Sequence, residues 1–170
     1  MIATVRGFAS VKYFIKFPYH AIACMNGAVT FIEDVLFDKT NIDRTQTQRI
    51  LNWYKEKYPN GFFTVAISDT NYESYIKEER KGYKGVKLFS SEILMKENVN
   101  RIVLDIKPYD FEQLRNFLSD ELYLGDEELA VIWPKQATKL RSIELVAKHY
   151  NIKKEEIVAF GDSDKDIEML

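Results

Sequence analysis

The C-terminal segment of the sequence constrains its fold more than any other feature. Residues 157–160, Ile-Val-Ala-Phe, form a short apolar run, and residues 161–166 follow at once with Gly-Asp-Ser-Asp-Lys-Asp. A short apolar run that stops at a glycine is typical of a strand buried on both faces of a parallel sheet. Open α/β sheets bind their ligands at the carboxyl ends of such strands. The sequence therefore predicts an α/β protein with an acidic site that begins at Asp162.

The acidic loop from Asp162 to Asp166 has two interpretations. Carboxylates crowded at a strand end repel one another unless a cation neutralises them, and oxygen ligands favour a hard ion such as Mg²⁺. Alternatively, the loop is a solvated helix N-terminus, where aspartates interact favourably with the helix dipole. An EF-hand calcium loop is excluded, because Ile167 stands where that loop needs glycine.

Hydrophobic periodicity predicts strands and helices that alternate along the chain. Strands are expected at residues 21–24, 62–67, 102–106, 129–133 and 157–160, with a hairpin at residues 29–37 that turns at Glu33 and Asp34. Helices are expected near residues 10–15, at 50–58, after a capping Asp110, at 143–150 with Asn151 as a left-handed C-cap, and after residue 161. Residues 40–130 are interpreted as an inserted α+β module, because their strands are longer and more polar.

Other candidate site residues carry weaker signals. Lys139 precedes an amphipathic helix, where a lysine opposes the helix dipole. It has either an anionic partner or a solvated position on the surface. Asn26 and Gly27 are typical of a tight turn, and Thr4 has no chemical interpretation by itself.

Composition limits the class of function. The 170 residues are 46% hydrophobic and 29% charged with a net charge of −2, which describes an ordinary globular protein without the positive field that nucleic-acid binding needs. The single cysteine, Cys24, excludes an intramolecular disulfide framework. The sequence has neither a signal-peptide pattern at its start nor an apolar run long enough to cross a bilayer. A cytoplasmic location is therefore expected.

Taken in order, these segments resemble the haloacid dehalogenase-like superfamily of phosphatases, in particular its Cof-type branch with a large α+β cap. Residues 3–6, Ala-Thr-Val-Arg, are similar to the second motif of that family, Ala-Thr-Gly-Arg. Residues 26–28, Asn-Gly-Ala, are similar to the segment that leads into the cap, and Lys139 falls at the lysine of the third motif. Residues 161–170 are similar to the fourth motif, Gly-Asp-Gly-x-Asn-Asp-x-x-Met-Leu.

The resemblance implies an incomplete doubly wound, Rossmann-like core, formed by residues 1–39 and 131–170, with an α+β cap at residues 40–130. It implies a Mg²⁺-dependent phosphatase that acts on small phosphomonoesters, sugar phosphates in particular, through an aspartyl-phosphate intermediate. The expected partner is a small phosphorylated metabolite, with neither nucleic acid nor membrane involved.

The same resemblance implies a role for each candidate residue. Thr4 would hydrogen-bond the phosphoryl group, and Lys139 would neutralise charge on the phosphate and the nucleophile. These two are the expected catalytic residues. Asn26 and Gly27 would join them in binding the substrate, and Asp162 and Asp166 would hold Mg²⁺.

The sequence departs from the family pattern in ways that bear on activity. Val5 and Leu140 replace glycines of the second and third motifs, and Lys165 replaces an asparagine beside the metal carboxylates. The first motif, Asp-x-Asp-Gly-Thr, would supply the nucleophile and the general acid, and the sequence does not contain it. The chain therefore resembles a family member truncated at both ends and is expected to be inactive alone.

Two alternatives to an enzyme stay open. The chain is either a non-catalytic remnant that binds phosphate or a partner, or an interaction module whose core segments dock on another chain. A homo-oligomer would compensate for the missing core strands.

Overall fold

The computed structural model describes residues 1–126 and 129–170; Glu127 and Glu128, which belong to the predicted cap range, lie outside the described residues. The chain divides into two compact units. The first unit consists of Met1–Thr40 and Gln136–Leu170, and the second unit is the continuous segment Asn41–Lys135. A cap function for the second unit stays a prediction.

The helices and strands of the described ranges are as follows. The helices are α1 (Phe8–Phe14), α2 (Arg44–Lys57), α3 (Ile93–Lys96), α4 (Phe111–Phe117) and α5 (Lys139–His149). The strands are β1 (Ile2–Ala3), β2 (Ala21–Cys24), β3 (Val29–Ile32), β4 (Val35–Lys39), β5 (Phe63–Ile67), β6 (Thr70–Glu73), β7 (Val86–Leu88), β8 (Arg101–Leu104), β9 (Leu122–Asp126) and β10 (Ala130–Pro134). Short 3₁₀ turns occur at Met25–Gly27, Glu78–Arg80, Pro108–Asp110, Lys154–Glu156 and Asp164–Met169. None of the described helices has the length and apolar content that a membrane span requires.

The first unit is built on a four-stranded sheet in the order β1-β2-β3-β4. β1 and β2 are parallel, and the other neighbouring strands are antiparallel. α5 packs against this sheet through Val146, which lies in one apolar cluster with Ala21 and Ile32. In this strand order the two-residue strand β1 forms one edge of the sheet, and β4 forms the other.

Several local predictions in the first unit are confirmed. β2 coincides with the strand predicted at residues 21–24. The hairpin of β3 and β4 turns at Glu33 and Asp34, whose φ angles of 49° and 65° lie in the left-handed region. α5 covers most of the predicted helix and begins earlier, at Lys139, and Asn151 after it has a φ of 57°. Turn and cap residues thus identified these elements correctly.

Two predictions for the C-terminal segment are wrong. Residues 157–160 form no strand, and the α-helix expected after residue 161 is the 3₁₀ turn Asp164–Met169. Val158 and Phe160 are 78% and 86% exposed. A strand needs a neighbour that pairs its backbone groups, and no described strand pairs with this segment. The mixed α/β class is confirmed, although the parallel part of this sheet is limited to β1 and β2.

The second unit contains a six-stranded sheet in the order β7-β6-β5-β8-β10-β9. α2 and α4 cover one face of this sheet, and the buried side chains between them include Leu51, Tyr54, Val65, Ile102 and Leu114. Strands β5, β8 and β10 lie within two residues of the predicted strands, as expected for assignments at element ends.

Aromatic stacking supports both sides of this sheet. The two tryptophans of the chain lie in the second unit: Trp53 of α2 stacks on Phe117, and Trp133 of β10 stacks on Tyr123. The capping role predicted for Asp110 is wrong, because its carboxylate accepts hydrogen bonds from Lys57 and Tyr58 instead of capping α4.

Candidate active site

A buried ion pair joins the N-terminus of α5 to the C-terminal acidic loop. Thr138 caps α5, since its side chain accepts a hydrogen bond from the Arg141 amide at 3.1 Å. Lys139 is the first residue of the helix, and its Nζ lies 2.5 Å from Oδ1 of Asp166. Their side chains are only 8% and 5% exposed. Lys139 therefore has an anionic partner rather than a solvated position.

The second oxygen of Asp166 organises the loop that precedes it. Oδ2 accepts hydrogen bonds from the Asp162 amide at 3.2 Å, from the Ser163 amide at 3.1 Å and from the Ser163 hydroxyl at 2.9 Å. The hydrogen bond from Lys139, supported by these donors, lowers the pKa of Asp166 to about 2 against the cost of its burial. Asp166 therefore stays ionised at neutral pH.

Gly161 allows the acidic loop to close tightly. A Cβ atom placed on Gly161 would lie 2.3 Å from Cβ of Asp166, closer than any side chain tolerates. The Gly-Asp pair of the fourth motif therefore has a steric reason in this chain: the loop backbone passes directly over the Asp166 side chain.

Asn26 and Gly27 lie against the N-terminal end of α5. Both have positive φ angles, 60° and 93°. Asn26 Nδ2 donates to the Ala137 carbonyl at 3.2 Å, and the Ser142 hydroxyl lies 3.3 Å from the Gly27 carbonyl oxygen. The Oδ1 atom of Asn26 is buried and has no hydrogen-bond partner among the described residues. The predicted turn therefore follows β2 and contacts the N-terminal end of α5.

Thr4 is held beside this turn by its backbone. Its amide donates to the Ala23 carbonyl at 2.9 Å, and its carbonyl accepts from the Asn26 amide at 3.0 Å. The Thr4 hydroxyl accepts from the Arg6 amide at 3.2 Å, which leaves its own proton available for donation. A cavity of about 310 Å³ adjoins Thr4 and is lined by Ile2, Thr4, Arg6, Val11, Phe14 and Ile15.

The structure therefore brings the predicted site residues together in two groups within the first unit. Thr4 is hydrogen-bonded to Asn26, and Lys139 is paired with Asp166, which in turn binds the Asp162 amide. The Asn26–Gly27 turn lies on the last residues before α5 and so connects the groups. The catalytic, substrate-binding and metal roles of these residues stay predictions.

The carboxylates described here do not by themselves fit a Mg²⁺ site. Both Asp166 oxygens are already engaged, one of them by the Lys139 cation. Asp162 is exposed and its carboxylate has no hydrogen bond or ion pair with the described residues. Across residues 1–126 and 129–170, no cluster of three or more His, Cys, Asp or Glu side chains has metal-binding geometry.

Sequence reasoning missed the polar residues that support this arrangement. Ser163 holds Asp166, and Ser142 bonds both Thr30 and the Gly27 carbonyl. Ser163 was detectable, because a serine three residues before an aspartate forms a capping-box pattern at a helix start. Ser142 carries no such signal, since Thr30 and Gly27 lie more than 100 positions before it in the sequence.

Comparison with known proteins identifies the family. A family model described as haloacid dehalogenase-like hydrolase matches residues 1–170. No curated protein matches the sequence at a significant level.

Solved structures share the fold. TM0651 from Thermotoga maritima has a TM-score of 0.76 and 26% identity, with 98% of this chain and 68% of that chain covered. The phosphatase BT1666 from Bacteroides thetaiotaomicron has a TM-score of 0.77 and 18% identity, with 99% and 66% covered. The subclass IIB sugar phosphatase BT4131 has a TM-score of 0.73 and 20% identity, with 99% and 69% covered. This chain spans about two thirds of the length of these structures. The predicted family is confirmed: the chain belongs to the haloacid dehalogenase-like hydrolases.

Proposed function

We propose that this chain supplies the phosphate-binding part of a haloacid dehalogenase-type phosphatase that acts on small phosphomonoesters, with sugar phosphates the expected class. The buried Lys139 at the N-terminus of α5 carries the proposal. Its ammonium group has three donors, of which Asp166 uses one. A buried ammonium with donors to spare, at a helix N-terminus, suits a phosphate dianion.

The chemistry proposed for the family member is transfer of the phosphoryl group to a carboxylate. The carboxylate oxygen attacks phosphorus, the substrate alcohol leaves with a proton from a general acid, and water then hydrolyses the aspartyl-phosphate. In that sequence Lys139 neutralises the phosphate oxygens and Thr4 donates its hydroxyl proton to one of them. The Asp-x-Asp-Gly-Thr motif that would provide nucleophile and acid does not occur in this sequence. We therefore propose that the chain binds phosphate but does not turn over alone.

Two measurements on the full chain test this proposal. Hydrolysis of p-nitrophenyl phosphate with Mg²⁺ present is expected to be absent, and robust turnover that disappears in Asp162→Ala would contradict it. Binding of inorganic phosphate, measured by calorimetry, is expected to weaken about tenfold or more in Lys139→Met. Lys148→Met, at the exposed C-terminal end of α5, is the matched control and should bind as the parent does. A parent chain that binds no phosphate refutes the proposed site.

Mg²⁺ dependence forms part of the proposed function, although the residues described do not complete a site. Asp162 and Asp164 are the carboxylates of the acidic loop that have no partner in the described ranges, and Asp162 is the one that the resemblance assigns to the metal. We expect Mg²⁺ to bind weakly to this chain alone, and the test is calorimetric titration of the parent and of Asp162→Ala. Tight binding in the parent would show that the donor set is complete after all.

The exposed apolar surface of the first unit favours a second candidate function, association with another copy of the chain. β1 has an open edge in the described sheet, and Val158 and Phe160 are exposed on a segment that pairs with no described strand. Open strand edges and exposed apolar side chains both promote pairing between chains. We propose a homo-oligomer in which the copies cover these surfaces.

Light scattering after size-exclusion chromatography tests this association. Val158→Ser is expected to shift the chain toward monomer. Val35→Ser removes a side chain that is also exposed, 68% compared with 78%, but on β4 at the opposite edge of the sheet, and should leave the mass unchanged. A compact monomer at all concentrations would contradict the proposal.

A further inference from the structure

A buried pair of hydroxyl groups joins β3 to α5 in the first unit. Thr30 of β3 and Ser142 of α5 are both fully buried. The Thr30 hydroxyl donates to Ser142 Oγ at 3.0 Å, so Ser142 keeps its own proton for a further acceptor. That acceptor is the Gly27 carbonyl at 3.3 Å, with the Thr138 carbonyl at 3.4 Å as an alternative within the helix. The hydroxyl pair therefore ties the Asn26–Gly27 turn to α5.

The turn carries this restraint to both groups of the candidate site. Asn26 of the turn donates from Nδ2 to the Ala137 carbonyl at 3.2 Å and from its amide to the Thr4 carbonyl at 3.0 Å. On the helix, Ser142 lies three residues after Lys139, and both belong to the buried face of α5. A path of hydrogen bonds and short backbone segments therefore connects Thr4 to Lys139 through Ser142.

Close packing leaves the turn little freedom relative to α5. A Cβ atom on Gly27 would lie 2.1 Å from the Thr138 carbonyl oxygen and 2.9 Å from Ser142 Oγ. The Gly27 backbone therefore has no room to move closer to the helix, and the hydrogen bond from Ser142 resists movement away from it. Satisfied hydrogen bonds between buried groups rigidify the elements that they join, whereas apolar side chains of the same shape would pack there without fixing a direction.

We propose that Ser142 is a positioning residue that sets the spacing between the Thr4 hydroxyl and the Lys139 ammonium, the two groups proposed to bind phosphate. Ser142 acts through the turn of Asn26 and Gly27 rather than by touching the ligand. The spacing matters because a hydrogen bond weakens steeply as its distance and angle depart from the optimum. The inference rests on the proposed function, since phosphate is the ligand whose affinity reports the spacing.

Calorimetry with inorganic phosphate on the full chain compares variants at the two ends of the hydroxyl pair. Ser142→Ala removes the donor to the Gly27 carbonyl and should weaken phosphate binding about fivefold, the worth of about one hydrogen bond. Thr30→Val keeps a similar shape and leaves the bond from Ser142 to Gly27, so its affinity should equal that of the parent. Urea unfolding should show similar losses of stability in both variants, which separates positioning from stability. Equal affinity in Ser142→Ala and the parent, or equal losses of affinity in both variants, would overturn the proposal.

A double-mutant cycle shows whether Ser142 acts through Thr4. Thr4→Val removes the hydroxyl that is proposed to donate to phosphate. In that background Ser142→Ala should have little further effect on affinity, because the group that it displaces is already absent. Additive losses would mean that Ser142 acts by another route and would contradict the proposed role.

NMR without phosphate separates this inference from the proposed function. A parent chain that binds no phosphate refutes the proposed function, and the positioning role is then judged from the spectra. In the ¹⁵N-labelled chain, Ser142→Ala should shift the Asn26 side-chain amide and the Thr4 amide, and Thr30→Val should leave both unchanged. Shifts in Ser142→Ala that are confined to α5 and β3 would give Ser142 a purely structural role and overturn the inference.

Discussion

The two units each bury one carboxylate against a cation, and the two pairs differ in their effect on that carboxylate. Asp166 of the first unit has both oxygens bonded, and its pKa is lowered to about 2. Glu73 of the second unit has one oxygen bonded to Arg80, and burial raises its pKa. At Asp166 the hydrogen bond from Lys139 outweighs the effect of burial and is supported by donors from Ser163 and the Asp162 amide, whereas at Glu73 the effect of burial outweighs the charge of Arg80.

The comparison shows when a buried charge stabilises a fold. A buried ion pair recovers its desolvation cost only if the remaining lone pairs are also bonded. Asp166 meets that condition, because the Asp162 amide and the amide and hydroxyl of Ser163 all donate to its second oxygen. We therefore expect Asp166 to contribute to the stability of the first unit. Glu73 does not meet it, because its Oε2 has no hydrogen-bond partner among the described residues.

The largest expected effect is the loss of the lysine in the first pair. Lys139→Met leaves Asp166 buried without its cation and should lower the free energy of unfolding by about 4 kcal/mol. Urea unfolding followed by circular dichroism measures the change. Lys148→Met removes an exposed lysine from the same helix and should cost less than about 1 kcal/mol. Equal losses in the two variants would show that Asp166 does not depend on Lys139.

Replacing a glycine by alanine should likewise destabilise the protein more near the ion pair of the first unit than near that of the second unit. Gly27 has a φ of 93°, and an added Cβ would lie 2.1 Å from the carbonyl oxygen of Thr138, just before Lys139. Gly82, shortly after Arg80, has a φ of 80° and no atom within 4 Å of the Cβ position. Gly27→Ala should cost about 3 kcal/mol from strain and crowding together, and Gly82→Ala about 1 kcal/mol from strain alone. Urea midpoints of the two variants check this, and a larger loss in Gly82→Ala would contradict the described packing.

Acid should weaken the first pair in a defined range. The pKa of Asp166 is lowered from 3.8 to about 2, so its contribution is fully present above pH 4 and is lost as the pH falls toward 2. The loss should amount to about 2 kcal/mol. Thermal unfolding from pH 5 to pH 2 measures it, with Asp166→Asn as the comparison. If the stability of Asp166→Asn falls as steeply as that of the parent, the acid sensitivity belongs to other groups.

The smallest expected effect belongs to the second pair. Glu73→Gln should change the free energy of unfolding at pH 7 by less than about 1 kcal/mol, because it removes a charge that burial disfavours and leaves Arg80 partly in solvent. Urea unfolding is again the measurement. A loss as large as that of Lys139→Met would make Glu73 a structural residue and remove the contrast between the units.

The sequence predicted elements whose signals are local. The Glu33–Asp34 turn, the strand Ala21–Cys24 and the C-cap Asn151 each depend on residues within a few positions of one another. The predicted strand at residues 157–160 failed for the opposite reason. Its composition is that of a buried strand, but a strand forms only beside a partner, and the described sheet offers none.

The same distinction applies to the site. The fourth-motif pattern located Asp166, and Lys139 followed from the family resemblance, yet only the fold shows that their side chains meet. The buried ion pair of Glu73 and Arg80 left no sequence signal, because it depends on which face of β6 is covered. Sequence patterns record secondary structure better than they record the accessibility of one face of a strand.

The placement of the tryptophans gives a spectroscopic means to separate the two units. Trp53 and Trp133 both lie in the second unit, and Trp133 is only 3% exposed. Their emission should shift to longer wavelength when that unit unfolds and stay unchanged while it remains folded. A variant that disrupts the first unit alone would lose ellipticity before its emission shifts. Circular dichroism and fluorescence recorded in the same titration can therefore assign each loss of stability to its unit.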